Sequence, residues 1–386
     1  MQRLCSLLGM PQRRFASAHV VGTNGKSSTT RFIALLCEGA GRRRTGAYLS
    51  PHVDSWRERI LIDGEPIAPE PFLAVLEQAE QAAIAADRSA GEGEGPVTQY
   101  ELLTAAAFCA FAEASVEVAA IEAGLGGRLD ATNVIPSKVT VLTSVGLDHT
   151  EWLGDTVAEI AAEKLAVLRD HSVLVTSPDP SSWVEPVVER FVEERHARWV
   201  IAASAGPQEL PPFQRRNFGL AVAASEVLVG DVSDQIRSVA AGDLSVPGRL
   251  EIREESPPLI LDSAHNPDAA RALAEALPAA SQGAPAVICL AVLDDKDAAG
   301  IVEALAGSCE YFVCTEVSEE AMEGSGRPGA RCVPAGDLAA LCTAAGVESE
   351  AVDDPAKAIS RTREIADGKQ AVAVVTGSHY LLGVYG

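Results

Sequence analysis

Short apolar runs alternate with helical patterns along most of this chain. The runs, which are typical of buried strands, lie at residues 18–21, 116–121, 138–145, 172–175 and 199–203. The helical patterns lie between and after them, at residues 27–38, 71–86, 101–114, 156–168 and 216–229. Strands that alternate with helices predict an α/β fold whose parallel sheet is covered on both faces.

The alternation begins again after a polar stretch at residues 242–248. New apolar runs occur at residues 250–253, 259–261, 286–292, 311–315 and 371–375, with helical patterns at residues 267–276 and 298–306. A chain of 386 residues is also too long for one ordinary core. We therefore predict an N-terminal parallel-sheet domain at residues 1–243 and a smaller, Rossmann-like α/β domain at residues 244–386.

The composition argues against several classes of partner. The chain has 54 acidic and 31 basic residues, a net charge of −23, and this field repels nucleic acid and anionic lipid. The eight cysteines include no CxxC pair, which favours reduced core thiols over a disulfide framework or a zinc site. With no bilayer-length apolar stretch and no export signal, we expect a cytoplasmic protein that binds neither membranes nor nucleic acid.

A glycine loop joins the first predicted strand to the first long helix. Its sequence, HVVGTNGKSST at residues 19–29, has the strand-loop-helix context of a P-loop, although Val20 stands where the Walker pattern has glycine. An ordinary strand-to-helix turn is the alternative. We predict a P-loop ATPase-type domain in which the lysine reaches the β- and γ-phosphates and one of the two serines faces a metal ion. The predicted nucleotide-binding residues are Gly22, Thr23, Asn24, Gly25, Lys26, Ser27 and Ser28.

This loop resembles the GTNGK loop of the Mur ligase superfamily, and more narrowly that of the folylpolyglutamate synthase/dihydrofolate synthase family. Further blocks similar to that family follow in order along nearly the whole chain. They are YLSPHV (48–53), RERI (57–60), EAGLGGRLDATN (122–133), LDHTEWLG (147–154), AAEK (161–164), PGR (247–249), LDSAHNP (261–267), DDKD (294–297) and GS (377–378).

The resemblance implies an ATP- and magnesium-dependent amide ligase. Such an enzyme adds L-glutamate to dihydropteroate, to the γ-carboxylate of folates, or to both, through an acyl phosphate, giving ADP and phosphate. Transfer of a phosphoryl group turns a carboxylate oxygen into a leaving group, and this transfer depends on positioning and charge neutralisation. We expect only small-molecule partners (pteroate or folate, L-glutamate and ATP) and a monomer.

The resemblance also implies the metal site. Ser50, Glu122 and His149 match the family's ligands for magnesium, of which two ions are expected. Glu122 could instead be a strand-end carboxylate satisfied by backbone amides, and His149 could cap a helix terminus.

Lys164 matches a lysine that is carbamylated in the family and then resembles a carboxylate ligand. A surface lysine paired with Glu163 or Glu159 is the alternative reading. Together with Lys26 and His265, Lys164 completes the predicted catalytic set.

The second half of the chain carries further residues that match the family's sites. Arg249 matches an arginine that contacts phosphate, and Asp262 matches the carboxylate on the ribose side. Asn217, at the end of the first half, matches a base-contacting asparagine. A donor or cationic His265 and an exposed Ser378 hydroxyl are suited to hold the carboxylates of the incoming glutamate.

The predicted pterin-binding residues lie in the segment TQYE at residues 98–101. Its Thr98, Tyr100 and Glu101 resemble the family's Thr-x-Phe-Glu, and the tyrosine could stack on a flat ring or simply be a core aromatic. Two other functions stay open: another Mur-type ligase that acts on a cell-wall or other amino-acid acceptor, and a P-loop kinase.

Overall fold

The computed structural model describes residues 1–41, 44–91, 95–178, 184–243, 246–319, 322 and 329–385. The chain divides into two compact units, Met1–Leu244 and Ser245–Gly386. The boundary predicted between residues 243 and 244 adjoins residues 244 and 245, which lie outside the described residues.

The first unit is built on an eight-stranded sheet with the order β4-β3-β2-β5-β1-β6-β7-β8. Six of these strands are parallel, whereas β3 and β4 at one edge are antiparallel to their neighbours. The strands are β1 Ala16–Val21, β2 Thr45–Tyr48, β3 Ile60–Ile62, β4 Glu65–Pro66, β5 Val118–Glu122, β6 Val139–Leu142, β7 Val173–Thr176 and β8 Arg198–Ile201.

Nine helices of the described chain cover both faces of this sheet. They are α1 Gln2–Leu7, α2 Lys26–Gly41, α3 Pro69–Arg88, α4 Gln99–Glu113, α5 Thr150–Leu153, α6 Val157–Leu165, α7 Glu185–Glu194, α8 Pro212–Val229 and α9 Asp234–Gly242. Helices α2, α8 and α9 pack on one face, against side chains such as Val20 and Val141. Alternate strand residues, including Ile121 and Leu142, pack against α3, α4, α6 and α7 on the other face. Because both faces are covered, the side chains of the central strands are buried on both sides, and most of them are apolar.

The register of the central strands brings four strand-end loops together. In this sheet β5 lies between β2 and β1, and β6 lies on the other side of β1. These four strands are parallel, so their carboxyl ends meet at one edge of the sheet. That edge is where an open α/β sheet usually places its ligands.

The second unit has a six-stranded sheet with the order β13-β12-β11-β14-β10-β9, in which only β9 is antiparallel. Its strands are β9 Glu251–Arg253, β10 Leu259–Leu261, β11 Ala286–Leu290, β12 Tyr311–Cys314, β13 Glu348–Ala351 and β14 Val372–Thr376. The helices described in it are α10 Pro267–Ala280, α11 Ala298–Ala306, α12 Ala335–Ala344, α13 Pro355–Lys369 and α14 His379–Tyr385. Helices α10, α11 and α12 pack on one face of this sheet. Helix α13 lies on the other face, where Thr362 forms a side-chain hydrogen bond with Cys289 of β11.

The predicted α/β fold class is confirmed, with two differences of detail. The edge strands β3 and β4 were not predicted, because runs of two or three residues are too short to indicate a strand, and the antiparallel direction of β9, which lies within the predicted run at residues 250–253, was not predicted either. The helix predicted at residues 156–168 ends at Leu165. Among the described residues, no helix has the length and apolarity needed to cross a membrane. The eight cysteines form no disulfide in this part of the chain.

Gly219 in α8 allows the helix to approach the backbone of the preceding loop. A Cβ there would overlap the carbonyl oxygen of Ala203, whereas a Cβ at Gly242 in α9 would meet nothing within 4 Å. We expect Gly219→Ala to lower the free energy of unfolding by roughly 1–3 kcal/mol. Gly242→Ala should be neutral or stabilising by up to about 1 kcal/mol. Urea unfolding of both variants tests this, and equal midpoints would contradict the close approach.

Candidate active site

The glycine loop between β1 and α2 requires glycine at two positions. Gly22 has φ 153° and Gly25 has φ 82°, both in the region that other residues rarely adopt. A Cβ at Gly22 would overlap the Thr143 hydroxyl, and a Cβ at Gly25 would overlap the Asn217 amide oxygen. The loop is therefore packed from both sides by polar side chains.

The loop that follows β6 holds the glycine loop in shape. The Asn24 amide donates to Ser144 Oγ at 2.9 Å, and the Asn24 carbonyl accepts from Thr143 Oγ1 at 2.6 Å and from Ser144 Oγ at 3.1 Å. The Thr23 amide also donates a hydrogen bond to the Ser144 carbonyl at 2.8 Å. The backbone of this loop is thus ordered by the protein itself, as a preorganised phosphate cradle requires.

The two serines at the start of α2 face different neighbours. Ser27 Oγ donates to Glu122 Oε1 at 3.0 Å, whereas Ser28 Oγ accepts from Gln214 Nε2 at 3.3 Å. Of the two hydroxyls that could have faced a metal ion, that of Ser27 is the one beside a carboxylate. Asn217, one turn along α8 from Gln214, donates to its Oε1 at 3.3 Å.

Glu122 ends β5 and is buried, with 1% of its surface exposed. Its second oxygen accepts the backbone amide of Ser50 at 3.1 Å. A carboxylate oxygen has two lone pairs, so an oxygen that accepts a hydrogen bond can also bind a metal ion. This set of hard oxygen atoms is suited to Mg²⁺, which prefers carboxylate and hydroxyl ligands.

Lys164 lies inside the structure rather than on its surface. Its side chain is 3% exposed, and Nζ donates to the Gly22 carbonyl at 3.0 Å. The surface ion pair considered as an alternative is therefore wrong: Glu163 pairs with Arg128 at 2.9 Å, and Glu159 caps the start of α6. The reason is tertiary, because α6 packs this face against the glycine loop.

Burial, together with repulsion from the nearby Lys26 amine, lowers the pKa of Lys164 to about 7, against the pull of Asp148 and Asp130. Lys26 itself folds over its own loop, donating to the carbonyls of Gly22 at 3.1 Å and Thr23 at 3.0 Å. Two lysine amines therefore bind the same carbonyl oxygen.

His149 lies on the loop after β6, at the start of the short helix α5. Its backbone has φ 51°, and its amide donates to Asp148 Oδ1 at 3.0 Å. The imidazole Nε2 lies 3.8 Å from the same carboxylate oxygen. Asp148 is buried, so this carboxylate orients the histidine from within the fold.

The three residues predicted to bind the pterin substrate have two different structural roles. Thr98 and Glu101 form the capping box of α4, with Glu101 N donating to Thr98 Oγ1 at 3.2 Å and Thr98 N donating to Glu101 Oε2 at 3.0 Å. Tyr100 instead packs against the glycine-rich turn after Glu122, where a Cβ at Gly124 would overlap its ring. Its ring centroid lies 6.3 Å from that of Tyr48.

In the second unit, Asp262, His265 and Ser378 follow β10 and β14, which are neighbouring parallel strands, whereas Arg249 precedes β9. Asp262 accepts the amides of Leu250 at 2.7 Å and Ala264 at 2.9 Å. Burial raises its pKa above the usual range, although the guanidinium of Arg249 acts in the opposite direction. His265 Nδ1 lies 2.9 Å from the Ser263 carbonyl, which makes Nδ1 the protonated nitrogen.

Ser378 differs from the expectation that its hydroxyl is exposed. The residue is 2% exposed, and its Oγ accepts the Tyr380 amide at 3.2 Å. The reason is its position after β14, a central strand, where the preceding Gly377 passes so close to the Ala291 carbonyl that a Cβ would overlap it. The sequence pattern shows the serine but not how closely its strand is enclosed.

Several residues of this region were not singled out from the sequence. Thr143, Ser144 and Gln214 hold the glycine loop, and Asp148 orients His149. Their only signal was position: the first two end an apolar run, and Asp148 precedes a predicted ligand in the same block.

Comparisons with known proteins identify the family. Residues 248–379 match the family model described as Mur ligase, glutamate ligase domain. The chain is 36% identical over 393 residues to a dihydrofolate synthase/folylpolyglutamate synthase of Mycobacterium tuberculosis, covering 89% of this chain and 76% of that protein.

Solved structures agree with this match. A folylpolyglutamate synthase of M. tuberculosis complexed with ADP and AMPPCP superposes with a TM-score of 0.90 at 30% identity, covering 100% of this chain and 93% of that one. A bifunctional folylpolyglutamate synthase/dihydrofolate synthase with Mn, AMPPNP and L-glutamate bound gives a TM-score of 0.83 at 28% identity, covering 100% and 92%. The chain therefore belongs to the dihydrofolate synthase/folylpolyglutamate synthase family of Mur ligases, and it is an ATP-dependent ligase.

Proposed function

We propose that this ligase joins the amine of L-glutamate to the carboxylate of dihydropteroate, to the γ-carboxylate of reduced folates, or to both. The observation that carries the proposal is the glycine loop, whose ordered backbone lies beside Ser27 and Glu122 while its lysine donates to the loop. The relative with an ATP analogue, manganese and L-glutamate bound supports the same three ligands for this chain.

The reaction proceeds through an acyl phosphate. An oxygen of the acceptor carboxylate attacks the γ-phosphorus of ATP, a P–O bond forms, and ADP leaves. The glutamate amine then attacks the acyl carbon, phosphate leaves with the transferred oxygen, and the amine loses a proton. The amides of the glycine loop and Lys26 balance the phosphate charge that develops in the first step.

Ser27, Ser50, Glu122 and His149 would hold magnesium. When bound, the ion offsets the charge repulsion between the phosphate oxygens and the attacking carboxylate. Glu122 suits this role because its carboxylate is buried and already oriented by the Ser27 hydroxyl and the Ser50 amide. The count of two ions follows from the family resemblance.

The remaining predicted residues receive roles consistent with their positions. Tyr100 offers its ring to the flat pterin, and Thr98 and Glu101 fix that ring by capping α4. Asn217 contacts the nucleotide base beside Gly25, and Arg249 and Asp262 contact the rest of the nucleotide. His265 and Ser378 hold the incoming glutamate. We further propose that the enzyme acts as a monomer in the cytoplasm.

Lys164 is the residue that we propose to be carbamylated. A neutral amine attacks CO₂, a C–N bond forms and one proton is released, which leaves an anionic carbamate in place of a cation. A pKa of about 7 makes the amine mostly neutral at slightly alkaline pH. Such a carbamate would relieve the repulsion between this residue and Lys26.

Two competing functions differ in their products. A P-loop kinase would transfer phosphate without forming an amide, and the match of residues 248–379 to a glutamate ligase domain disfavours it. A Mur-type ligase for a cell-wall precursor would form an amide but ignore pterins.

The assay that tests the proposed function combines ATP, magnesium, L-glutamate and either dihydropteroate or tetrahydrofolate. We expect phosphate release that requires both acceptor and glutamate, with the glutamylated pterin detected by mass spectrometry. Lys26→Ala should lower turnover by at least 100-fold, because a lost charge clamp typically costs several kcal/mol in the transition state. Lys138→Ala, at an exposed lysine, is the matched control and should retain activity. Phosphate release without any glutamylated pterin would contradict the proposal.

The carbamylation of Lys164 predicts a pH-dependent signal. In ¹³C-labelled bicarbonate, a carbamate resonance should be present at pH 8 and largely absent at pH 6, because the neutral amine becomes the majority form as the pH rises through about 7. Lys164→Ala should remove this resonance, while Lys138→Ala should keep it. A spectrum at pH 8 that is the same with and without Lys164 would rule out the modification.

A further inference from the structure

His19 is a buried titratable residue for which the reaction described above has no role. It lies in β1, three residues before Gly22, and none of its surface is exposed. Its Nε2 lies 2.8 Å from the Thr132 hydroxyl, across the sheet in the turn after β5. Two segments of the site, the glycine loop and this turn, are thus joined through one imidazole.

The hydrogen bonds around Thr132 define the direction of this contact. The Thr132 hydroxyl also lies at hydrogen-bond distance from Asp130 Oδ1, and a carboxylate can only accept, so the hydroxyl donates to Asp130. Its lone pair is then left for a donor, which must be the Nε2–H of His19. Nδ1 of His19 carries no proton in this tautomer, and it has no partner among the described residues.

His19 stays neutral at neutral pH and well below it. Burial lowers its pKa to about 3, and the nearby Arg169 guanidinium contributes in the same direction. The imidazole is therefore a fixed donor and not a proton carrier.

Asp130 is the member of this chain that organises the turn. Its oxygens accept the amides of Leu125 and Thr132, each at 2.9 Å, which closes the segment between residues 124 and 132. That segment begins two residues after Glu122 and packs against the ring of Tyr100 through Gly124. The turn therefore follows directly after the carboxylate proposed for magnesium, and it contacts the aromatic ring proposed for the acceptor.

We infer that His19 is a positioning residue for the acceptor: through Thr132 and Asp130 it sets the place of the turn that adjoins Tyr100. This inference rests on the proposed function, because the acceptor is assigned to Tyr100 there. A buried hydroxyl that loses its donor partner weakens the orientation of Asp130, and a displaced turn misplaces the acceptor relative to the phosphate.

The variants His19→Leu and Thr132→Val remove opposite ends of the same hydrogen bond. Each should raise KM for the pterin acceptor roughly 10-fold or more while KM for ATP changes less than about twofold. The double variant should be no worse than the poorer single variant, because both act on one interaction. His19→Gln, which can place an amide N–H near the position of Nε2, should restore most of the acceptor affinity.

Ser17→Ala is the matched control for these variants. Ser17 lies two residues earlier on the same face of β1, is equally buried, and its hydroxyl has no partner in the described part of the chain. It should leave both KM values unchanged. Equal increases in KM for ATP and acceptor, or a His19→Gln variant as poor as His19→Leu, would overturn the positioning role.

Amide hydrogen exchange gives a readout that does not depend on catalysis. In His19→Leu the amides of Leu125 and Thr132 should exchange at least 10-fold faster than in the unaltered protein, while those of Ser17→Ala should not change. Unchanged exchange at both amides would overturn the role of His19 alone. Failure of the unaltered protein to glutamylate any pterin would instead overturn the proposed function, and the exchange rates would still show whether His19 holds the turn.

Discussion

Two lysine amines bind one backbone carbonyl, and much of the active site depends on that contact. The Gly22 oxygen accepts from Lys26 Nζ at 3.1 Å and from Lys164 Nζ at 3.0 Å. Burial disfavours the charged amine of Lys164 and repulsion from Lys26 adds to this effect, so Lys164 holds its proton weakly. An anion brought to the loop relieves the repulsion. The same contact therefore favours phosphate at the loop and keeps Lys164 a reactive amine near neutral pH.

The parallel sheet is what makes this concentration of groups possible. Because β2, β5, β1 and β6 are neighbours with their carboxyl ends aligned, loops distant in sequence meet at one edge. Glu122 accepts a hydrogen bond from the Ser27 hydroxyl at the start of α2, which follows β1, and another from an amide of the loop after β2. The loop after β6 clamps Asn24 from the other side. The catalytic groups are thus held by rigid strands, as positioning within a fraction of an ångström requires.

Local patterns predicted the parts of this structure that depend on local physics. The strand-loop-helix context indicated the glycine loop, and apolar alternation indicated both sheets. Features that depend on distant contacts were not predictable in this way. The burial of Lys164, the choice of Ser27 over Ser28 beside Glu122, and the enclosure of Ser378 each arise from segments far away in the chain. The burial of a serine or lysine cannot be predicted from the residue itself, because it depends on the segments that pack around it in the folded protein.

The central claim is that the carboxylate is activated as an acyl phosphate at the glycine loop. Transfer of isotope from the acceptor tests it most directly. With ¹⁸O in both carboxylate oxygens of dihydropteroate, one turnover with ATP and L-glutamate should move one labelled oxygen into inorganic phosphate. Unlabelled phosphate, or label found in AMP, would contradict the account, because the carboxylate oxygen would then have left by another route.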